Sequence, residues 1–247
     1  RQMCIRDRNK ILNGITDWVY EEEFAVTNLM AWSPDSEYLA FVRFDESEVP
    51  EYSMQMYGEG LYPGYYEYKY PKAGQKNSKV SVHSYSVVTK DTKEMKVPVE
   101  GDFYIPRITF TQNPDQLAIM TLNRQQNVFN MYYANPKSGV FRLILREENK
   151  CYVDSDWLTS IQFLNNGFTY VSEQDGYSHI YLYSPTGVMQ RQVTQGNWDV
   201  TKFLGVDENT KTFYYESAEE SPIRRSIYKI DAKGVKTKLS TEEGMNK

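Results

Sequence analysis

The residues from Asp17 to Phe24 are the part of this chain best suited to the chemistry of a binding site. They read Asp-Trp-Val-Tyr-Glu-Glu-Glu-Phe, so three consecutive carboxylates follow directly on two aromatic residues and a valine. Like charges on adjacent residues repel each other, and removing them from water raises that cost. The cluster is therefore stable if it faces open water or if it surrounds a cation.

The acidic cluster is expected to lie on a short helix. Thr16 or Asp17 can cap the N-terminus of a helix, and Glu residues in a first turn interact favourably with the helix dipole. We predict a helix from Trp18 to Phe24 that projects from a loop and presents its carboxylates outward. Composition alone does not identify the acidic cluster as a binding site, because a run of glutamates usually lies on an ordinary solvated surface.

Few other residues have the types needed for catalysis. The two histidines, His83 and His179, lie in strand-like runs where a packing or surface role is expected. The chain contains no Gly-x-Ser-x-Gly nucleophile elbow, so it does not supply the converging Ser, His and Asp of a serine-hydrolase triad. We therefore expect no catalytic residue in this chain.

No metal or cofactor site is predicted. Asp154, Asp156 and Asp175 do not have the spacing of an EF-hand, so we expect them to be turn residues. The two cysteines, Cys4 and Cys151, provide neither a disulfide framework nor a zinc spacing. Cys151 is expected to be a lone, buried thiol.

Composition narrows the class of protein. The 21 tyrosines, together with Phe and Trp, favour β-sheet surfaces over helices. A net charge of −5 argues against a dedicated nucleic-acid or anionic-membrane binder. No apolar run is long enough for a transmembrane helix, and residues 1–8 lack the apolar core of a signal peptide. Those eight residues match nothing in the pattern that follows and are expected to be an artefactual or disordered start.

One pattern recurs along the rest of the chain: an apolar strand, a turn rich in Pro, Asp, Asn or Gly, and a second strand. It occurs at residues 29–44, 107–121, 161–171 and 203–215, and further hairpins follow at 179–193 and 226–239. The spacing of the later repeats suits β-propeller blades of about 40–50 residues. The first interval is longer because residues 51–75, rich in Tyr, Gly and Pro, read as an inserted loop. Its tyrosines pack on one another or stack on a carbohydrate or a partner protein.

These repeats predict an all-β fold. Residues 9–247 are expected to form a partial β-propeller, about four blades of a larger one, interrupted by the short helix with the acidic cluster. An open arc of blades leaves sheet faces and edges uncovered, so residues 9–247 expressed alone are expected to be aggregation-prone or marginally folded.

Several sequence blocks resemble the dipeptidyl peptidase IV family, within the prolyl oligopeptidase class of serine peptidases. The most specific block is Asn13–Phe24, and the resemblance continues through Ala31–Pro50. Further blocks follow in order at Tyr70–Gly74 with Asn77, at Glu173–Ile180 and at Thr194–Trp198.

The resemblance implies an eight-bladed N-terminal propeller stacked on an α/β-hydrolase domain. It also implies that Glu22 and Glu23 hold the free α-amino group of a peptide, with Asp17, Trp18, Tyr20 and Glu21 as the supporting motif. Such peptidases remove dipeptides whose second residue is Pro or Ala. A peptide α-amine has a pKa of about 7.7–8.0, so much of it is cationic at neutral pH and can form charge-assisted hydrogen bonds with two carboxylates.

The resemblance places the rest of the machinery elsewhere. The triad is expected beyond Lys247, and one substrate-orienting arginine before the first residue. A second arginine of the family has no match within Lys150–Leu164. The implied partners are a peptide with a free N-terminus, the downstream hydrolase domain and a second copy of the protein. The implied location is periplasmic or extracellular.

Two other functions stay open at this point. The chain could be a non-catalytic propeller that serves as an interaction module, or one attached to a hydrolase domain that has lost its nucleophile. It could also belong to an exopeptidase of the same class that accepts blocked N-termini. An acylated amine, however, would give the glutamates no cation to bind.

Overall fold

The structure is a computed structural model that describes residues 10–242 and 244–246. Its β-strands, in chain order, are β1 (Ile11–Asn13), β2 (Met30–Trp32), β3 (Tyr38–Asp45), β4 (Glu51–Met56), β5 (Gly64–Lys69), β6 (Lys79–Ser86), β7 (Thr92–Met95), β8 (Phe103–Phe110), β9 (Leu117–Asn123), β10 (Val128–Ala134), β11 (Phe141–Glu148), β12 (Gln162–Leu164), β13 (Gly167–Ser172), β14 (His179–Tyr183), β15 (Met189–Gln192), β16 (Val200–Asp207), β17 (Thr212–Ser217), β18 (Ser226–Ile230) and β19 (Lys236–Lys238). The helices are α1 (Trp18–Phe24) and a 3-10 helix at Ser155–Ser160.

Successive strands form sheets with four strand positions each. In the first sheet, β1 and β2 both pair with β3, which is followed by β6 and β7. The second, third and fourth sheets are β8–β11, β12–β15 and β16–β19, each ordered as in the chain. Consecutive four-stranded sheets are the arrangement of β-propeller blades. The predicted all-β fold with four-stranded repeats is therefore confirmed.

The chain divides into two compact units. Among the described residues, the first unit contains those from Lys10 to Gln125 together with Met131–Leu143, and the second contains Gln126–Asn130 and those from Ile144 onward. Helix α1 and the segments around it belong to the first unit. In each unit the inner strands are buried almost throughout: every residue of β9 except its last, and all of β13.

The turn between β2 and β3 is stabilised by hydrogen bonds of its Ser and Asp side chains, as its sequence predicts. In the turn between β2 and β3, the backbone N–H of Ser33 donates to the carbonyl of Tyr38 at 2.9 Å. The Ser33 hydroxyl donates to Asp35 at 2.5 Å and accepts from the Tyr38 N–H at 2.9 Å. Side chains of Ser and Asp thus replace the backbone partners that the sheet no longer offers.

The segment at 51–75, predicted as an inserted loop, contains a two-stranded hairpin of β4 and β5. Tyr52 pairs with Tyr68 and Met54 with Tyr66 across it. Large side chains therefore alternate with polar ones along β4, and this period of two was visible in the sequence, whereas in β5 the large residues Tyr65 and Tyr66 are adjacent. The Gly and Pro content of the connecting residues obscured it.

Two further expectations concern the cysteines and the chain start. Cys151 is exposed, so its predicted burial was wrong. It follows β11 in a loop, where its backbone N–H donates to the Asn149 side chain at 3.0 Å. Cys4 and the predicted artefactual start at residues 1–8 lie outside the described residues. Across residues 10–242 and 244–246, helices are all too short or too polar to cross a bilayer.

Candidate functional site

Helix α1 is carried by a loop that interrupts one strand of the first sheet. Strand β1 ends at Asn13 opposite Arg43, and β2 resumes at Met30 opposite Phe41 on the same partner strand, β3. Residues 15–28 leave the sheet at one point and return to that point. The loop is therefore an insertion within a single strand position.

The two ends of the insertion are joined by backbone hydrogen bonds. The Leu29 N–H donates to the Gly14 carbonyl at 2.8 Å, and both residues also bond to Val42 of β3. Gly14 has a φ of +74°, and a Cβ there would lie 2.5 Å from the Met30 side chain. Glycine therefore suits this position through its backbone conformation and through the space available.

Asp17 starts the helix and fixes it to the sheet. One carboxylate oxygen accepts the Tyr20 N–H at 3.1 Å, and the other accepts the Ser78 hydroxyl at 2.5 Å. Burial raises the pKa of Asp17, and the hydrogen bonds from Ser78 and Tyr20 partly offset that increase. The predicted helix is confirmed, and of the two N-cap candidates, Thr16 and Asp17, the structure has Asp17 as the N-cap. The helix ends at Ala25 in a left-handed conformation.

Aromatic side chains hold the underside of the helix. Tyr20 is 2% exposed and meets Phe44 edge-on with 4.8 Å between the ring centroids. It also packs against Phe24 and Tyr104. The ring centroids of Trp18 and Tyr70 lie 4.2 Å apart, and this contact links the helix to the segment that follows the β4–β5 hairpin.

Backbone and amide groups add polar contacts to this packing. The Tyr20 hydroxyl accepts the backbone N–H of Ile105 in β8 at 2.8 Å. The amide of Asn77 donates to the Tyr104 hydroxyl at 2.8 Å. Ser78, Ile105 and Tyr104 were missed by sequence reasoning. They are distant from α1 in the chain. The only sequence signal near them was Asn77, which belongs to one of the blocks that resemble the family.

Glu21, Glu22 and Glu23 are all exposed, as predicted. Glu21 borders a cleft of about 810 Å³ that is also lined by Trp18 and by the hairpin residues Tyr66 and Tyr68. The adjacent carboxylates thus project from a helix whose opposite face is buried. This arrangement can present two negative charges to a cation without removing either of them from water.

The surroundings of the other two glutamates differ. Burial raises the pKa of Tyr68, and neighbouring tyrosines and the charge of Glu22 raise it further. Burial also raises the pKa of Tyr104, to which the charge of Glu23 adds. Glu22 thus has Tyr68 of the hairpin among its neighbours, whereas Glu23 has Tyr104 at the start of the second sheet.

The two histidines have structural surroundings, as predicted. His179 is fully buried, with Nδ1 3.1 Å from the Thr194 hydroxyl and Nε2 2.9 Å from the Gly196 carbonyl. His83 stacks on Phe41 in the first sheet, and burial lowers its pKa.

Of the three aspartates predicted to be turn residues, Asp154 and Asp175 lie in a cap and a turn, and Asp156 lies in the first turn of the 3-10 helix. Asp154 caps the 3-10 helix by accepting the Asp156 N–H at 2.9 Å, and Asp175 accepts the Gln192 amide at 2.5 Å. In the part of the chain that the structure describes, no three His, Cys, Asp or Glu residues are grouped so that they could hold a metal ion.

Comparison with known proteins connects this geometry to a family. Residues 2–247 match the family described as "Dipeptidyl peptidase IV (DPP IV) N-terminal region". Dipeptidyl peptidase 4 of Arthroderma otae is 32% identical over 237 residues, which cover 88% of this chain and 30% of that protein. Prolyl endopeptidase FAP of Mus musculus is 30% identical over 242 residues, which cover 90% of this chain and 31% of that protein. The chain thus spans about a third of the length of these relatives.

Solved structures agree with the sequence comparison. The crystal structure of Porphyromonas gingivalis dipeptidyl peptidase 4 matches with a TM-score of 0.93 at 61% identity, over 98% of this chain and 35% of that one. A putative dipeptidyl aminopeptidase IV from Bacteroides ovatus has the same fold, with a TM-score of 0.79 at 24% identity. The chain therefore belongs to the family of dipeptidyl peptidase IV N-terminal regions.

Proposed function

We propose that this chain selects the substrates of a serine-type dipeptidyl peptidase, with Glu22 and Glu23 binding the α-ammonium group of the peptide. The observation that carries the proposal is the pair of adjacent, exposed carboxylates on α1, a helix anchored by the buried residues Asp17 and Tyr20. An ammonium group has several N–H donors and no acceptor, and ionised carboxylates are its strongest hydrogen-bond partners.

An anchored pair of carboxylates can fix the depth to which a peptide enters the site, in addition to selecting its charge. If the ammonium is held at Glu22 and Glu23, the peptide can enter the site only to a fixed depth. The bond to be cleaved then lies two residues from the charged end, so a dipeptide is released. We propose peptides with Pro or Ala at the second position as the substrates, following the family resemblance.

Hydrolysis itself is assigned to another part of the protein. The chain has no nucleophile elbow, and its relatives are about three times as long. We propose that an α/β-hydrolase domain supplies the triad, that the protein is exported, and that it forms homodimers. The dipeptidyl peptidase 4 names of the relatives support this proposal over a non-catalytic module.

The test uses the full-length protein and an Xaa-Pro anilide substrate. Glu22→Gln and Glu23→Gln keep the side-chain size but remove the charge. Each is expected to lower kcat/KM at least tenfold, which corresponds to about 1.4 kcal/mol or more of lost transition-state stabilisation. The matched control is Glu100→Gln, a change at an exposed glutamate remote from α1 in sequence, which should stay within about twofold of the wild type. Unchanged kinetics for both helix variants would rule out the ammonium site.

A further inference from the structure

Strand β8 contains an irregularity where it faces helix α1. Tyr104 pairs with Leu122 of β9, whereas Arg107 pairs with Met120, so the register shifts between them. Three steps along β8 thus correspond to two along β9, which is a β-bulge. Ile105 and Pro106 lie within it and are buried.

The bulge leaves a backbone donor that needs a partner. Ile105 has no partner residue in the register with β9, and Pro106 has no N–H. A buried N–H without an acceptor costs free energy comparable to a lost hydrogen bond. The Ile105 N–H donates to the Tyr20 hydroxyl at 2.8 Å. A side chain of α1 therefore completes the hydrogen bonding of a strand in the next sheet.

Helix α1 depends on such contacts for its position. It has seven residues, and a helix this short is not stable by itself in water. Asp17, the N-cap, fixes the start of the helix by accepting a hydrogen bond from Ser78, which lies next to β6 of the first sheet. The Tyr20 hydroxyl ties the middle of the helix to the second sheet. These two hydrogen bonds, one to the residue that precedes β6 and one to β8, set both the position and the tilt of the helix.

We propose that Tyr20 is a positioning residue for the ammonium site, acting through its hydrogen bond with the Ile105 N–H. Glu22 and Glu23 follow Tyr20 by two and three residues, which is less than about 5 Å along the helix axis. A change in tilt at Tyr20 therefore moves both carboxylates. This inference rests on the proposed function, because it assigns the tyrosine a role only if the two glutamates bind the substrate.

The hydroxyl and the ring of Tyr20 can be separated experimentally. Tyr20→Phe keeps the packing against Phe44, Phe24 and Tyr104 but removes the acceptor for Ile105. In the full-length protein we expect kcat/KM on an Xaa-Pro anilide to fall about fivefold or more, chiefly through a higher KM. The affinity for a free Xaa-Pro dipeptide should fall in the same proportion. The exchange of the Ile105 amide hydrogen should become faster.

A second readout separates positioning from a general loss of structure. A small fluorophosphonate reacts with an active-site serine and carries no ammonium group, so its rate of labelling should be unchanged in Tyr20→Phe. The matched control is Tyr215→Phe, because Tyr215 is fully buried and its hydroxyl has no hydrogen-bond partner among the described residues. That variant should keep wild-type kcat/KM within about twofold.

The outcomes distinguish this inference from the proposed function. If Glu22→Gln and Glu23→Gln lower kcat/KM but Tyr20→Phe does not, the ammonium site stands and the positioning role is refuted. If Tyr20→Phe slows fluorophosphonate labelling as much as peptide hydrolysis, its effect is general and the positioning role is again refuted. If the glutamate variants have no effect, the proposed function fails, and the positioning role fails with it.

Discussion

Asp17 supports the acidic helix with both oxygens of its carboxylate, one bonded to Tyr20 in the helix and the other to Ser78 in the scaffold. Burial raises its pKa above the ordinary value of 3.8. The folded state therefore holds a proton on Asp17 more readily than the unfolded state does. Through this residue alone, stability increases as pH falls through the raised pKa towards 3.8, and decreases as pH rises through the same window.

Two substitutions at Asp17 separate its hydrogen bonds from its charge. Asp17→Ala removes the cap and leaves the Tyr20 N–H and the Ser78 hydroxyl without their acceptor. We expect a loss of roughly 1–3 kcal/mol in the free energy of unfolding at pH 7. Asp17→Asn retains an oxygen for the Tyr20 N–H, and its amide can donate to the Ser78 hydroxyl. Its loss should therefore be smaller.

The measurement is urea unfolding of the full-length protein at pH 7 and at pH 4, near the lower end of this window, followed by tryptophan fluorescence. Asp17→Asn serves as the matched control, and it should lose the pH-dependent contribution of this residue. Equal stability of Asp17→Ala and the wild type would show that the cap does not hold the helix in place.

At this residue level the sequence predicted the local part of the site and missed its long-range part. The N-cap, the helix and the exposure of the three glutamates follow from neighbours in the chain, so they could be read from Asp17 to Phe24. The hydrogen bond from Ile105 to Tyr20 joins residues 85 positions apart and depends on a bulge. No local pattern encodes such a contact. Cys151 was misjudged because a preference for burial was applied to a residue that lies in a loop.

Among the secondary-structure elements, the pairing of β13 with β14 depends on one glycine. Gly167, which opens β13, has a φ of +147°, and a Cβ there would lie 2.0 Å from the Tyr183 carbonyl oxygen in β14. Because the obstacle is the backbone of a paired strand, it cannot move aside as a flexible side chain would. Glycine at this position allows β13 and β14 to approach each other.

A pair of glycine substitutions tests this close approach. Gly167→Ala is expected to lower the free energy of unfolding by roughly 3 kcal/mol, from the steric overlap together with the backbone strain. Gly176→Ala is the control, because Gly176 also has a positive φ, of +100°, but no atom within 4 Å of the added Cβ. Its loss should be about 1 kcal/mol. If urea unfolding gave the two variants equal losses in the free energy of unfolding, backbone strain alone would account for both, and the close approach at Gly167 would not matter.

Elements with clear turn chemistry were predictable, and the hairpin of β4 and β5 was not. Pro-Asp or Asn-Gly turns between apolar runs marked the hairpins β2–β3, β8–β9 and β12–β13. In the segment at 51–75, both faces of the hairpin include exposed residues, so burial gave no contrast between them. The alternation of Tyr52, Met54 and Met56 was the signal that remained.

For the molecule as a whole, the recurring unit is a sheet with four strand positions, and the candidate site is an addition to the first of them. The part of the first sheet nearest the helix remains continuous through β3, to which both halves of the split strand bond. The exposed glutamates of the candidate site are thus separate from the strands of the framework, and Tyr20 is the helix residue that bonds to a framework strand, through the Ile105 N–H. The framework could be predicted from repeats, whereas the site could be identified only from its family-specific motif.

This separation predicts the outcome of removing the insertion. Replacing residues 15–28 by a two-residue turn should leave the first sheet able to form, because the Gly14 carbonyl already bonds to the Leu29 N–H. Circular dichroism of the full-length variant should retain its β-sheet signal. Its melting temperature should drop because Phe44 and Tyr104 lose the cover of Tyr20. Hydrolysis of Xaa-Pro anilides should fall at least tenfold, while labelling by a fluorophosphonate continues. Collapse of the β-sheet signal would show that the insertion is part of the framework.

The split strand also bears on how such a protein can diversify. The insertion begins and ends at neighbouring positions, so exchanging it for a longer or shorter segment need not alter the register of β3. Lengthening a loop whose ends are already held together adds little closure entropy, about 0.6 kcal/mol for each doubling. Replacing these 14 residues can therefore change the groups that the helix presents while the register of β3 is kept, provided that the new segment again supplies an acceptor for the Ile105 N–H in β8. The junction at Gly14 and Leu29 is thus a position at which the sheet can accommodate a segment of another length.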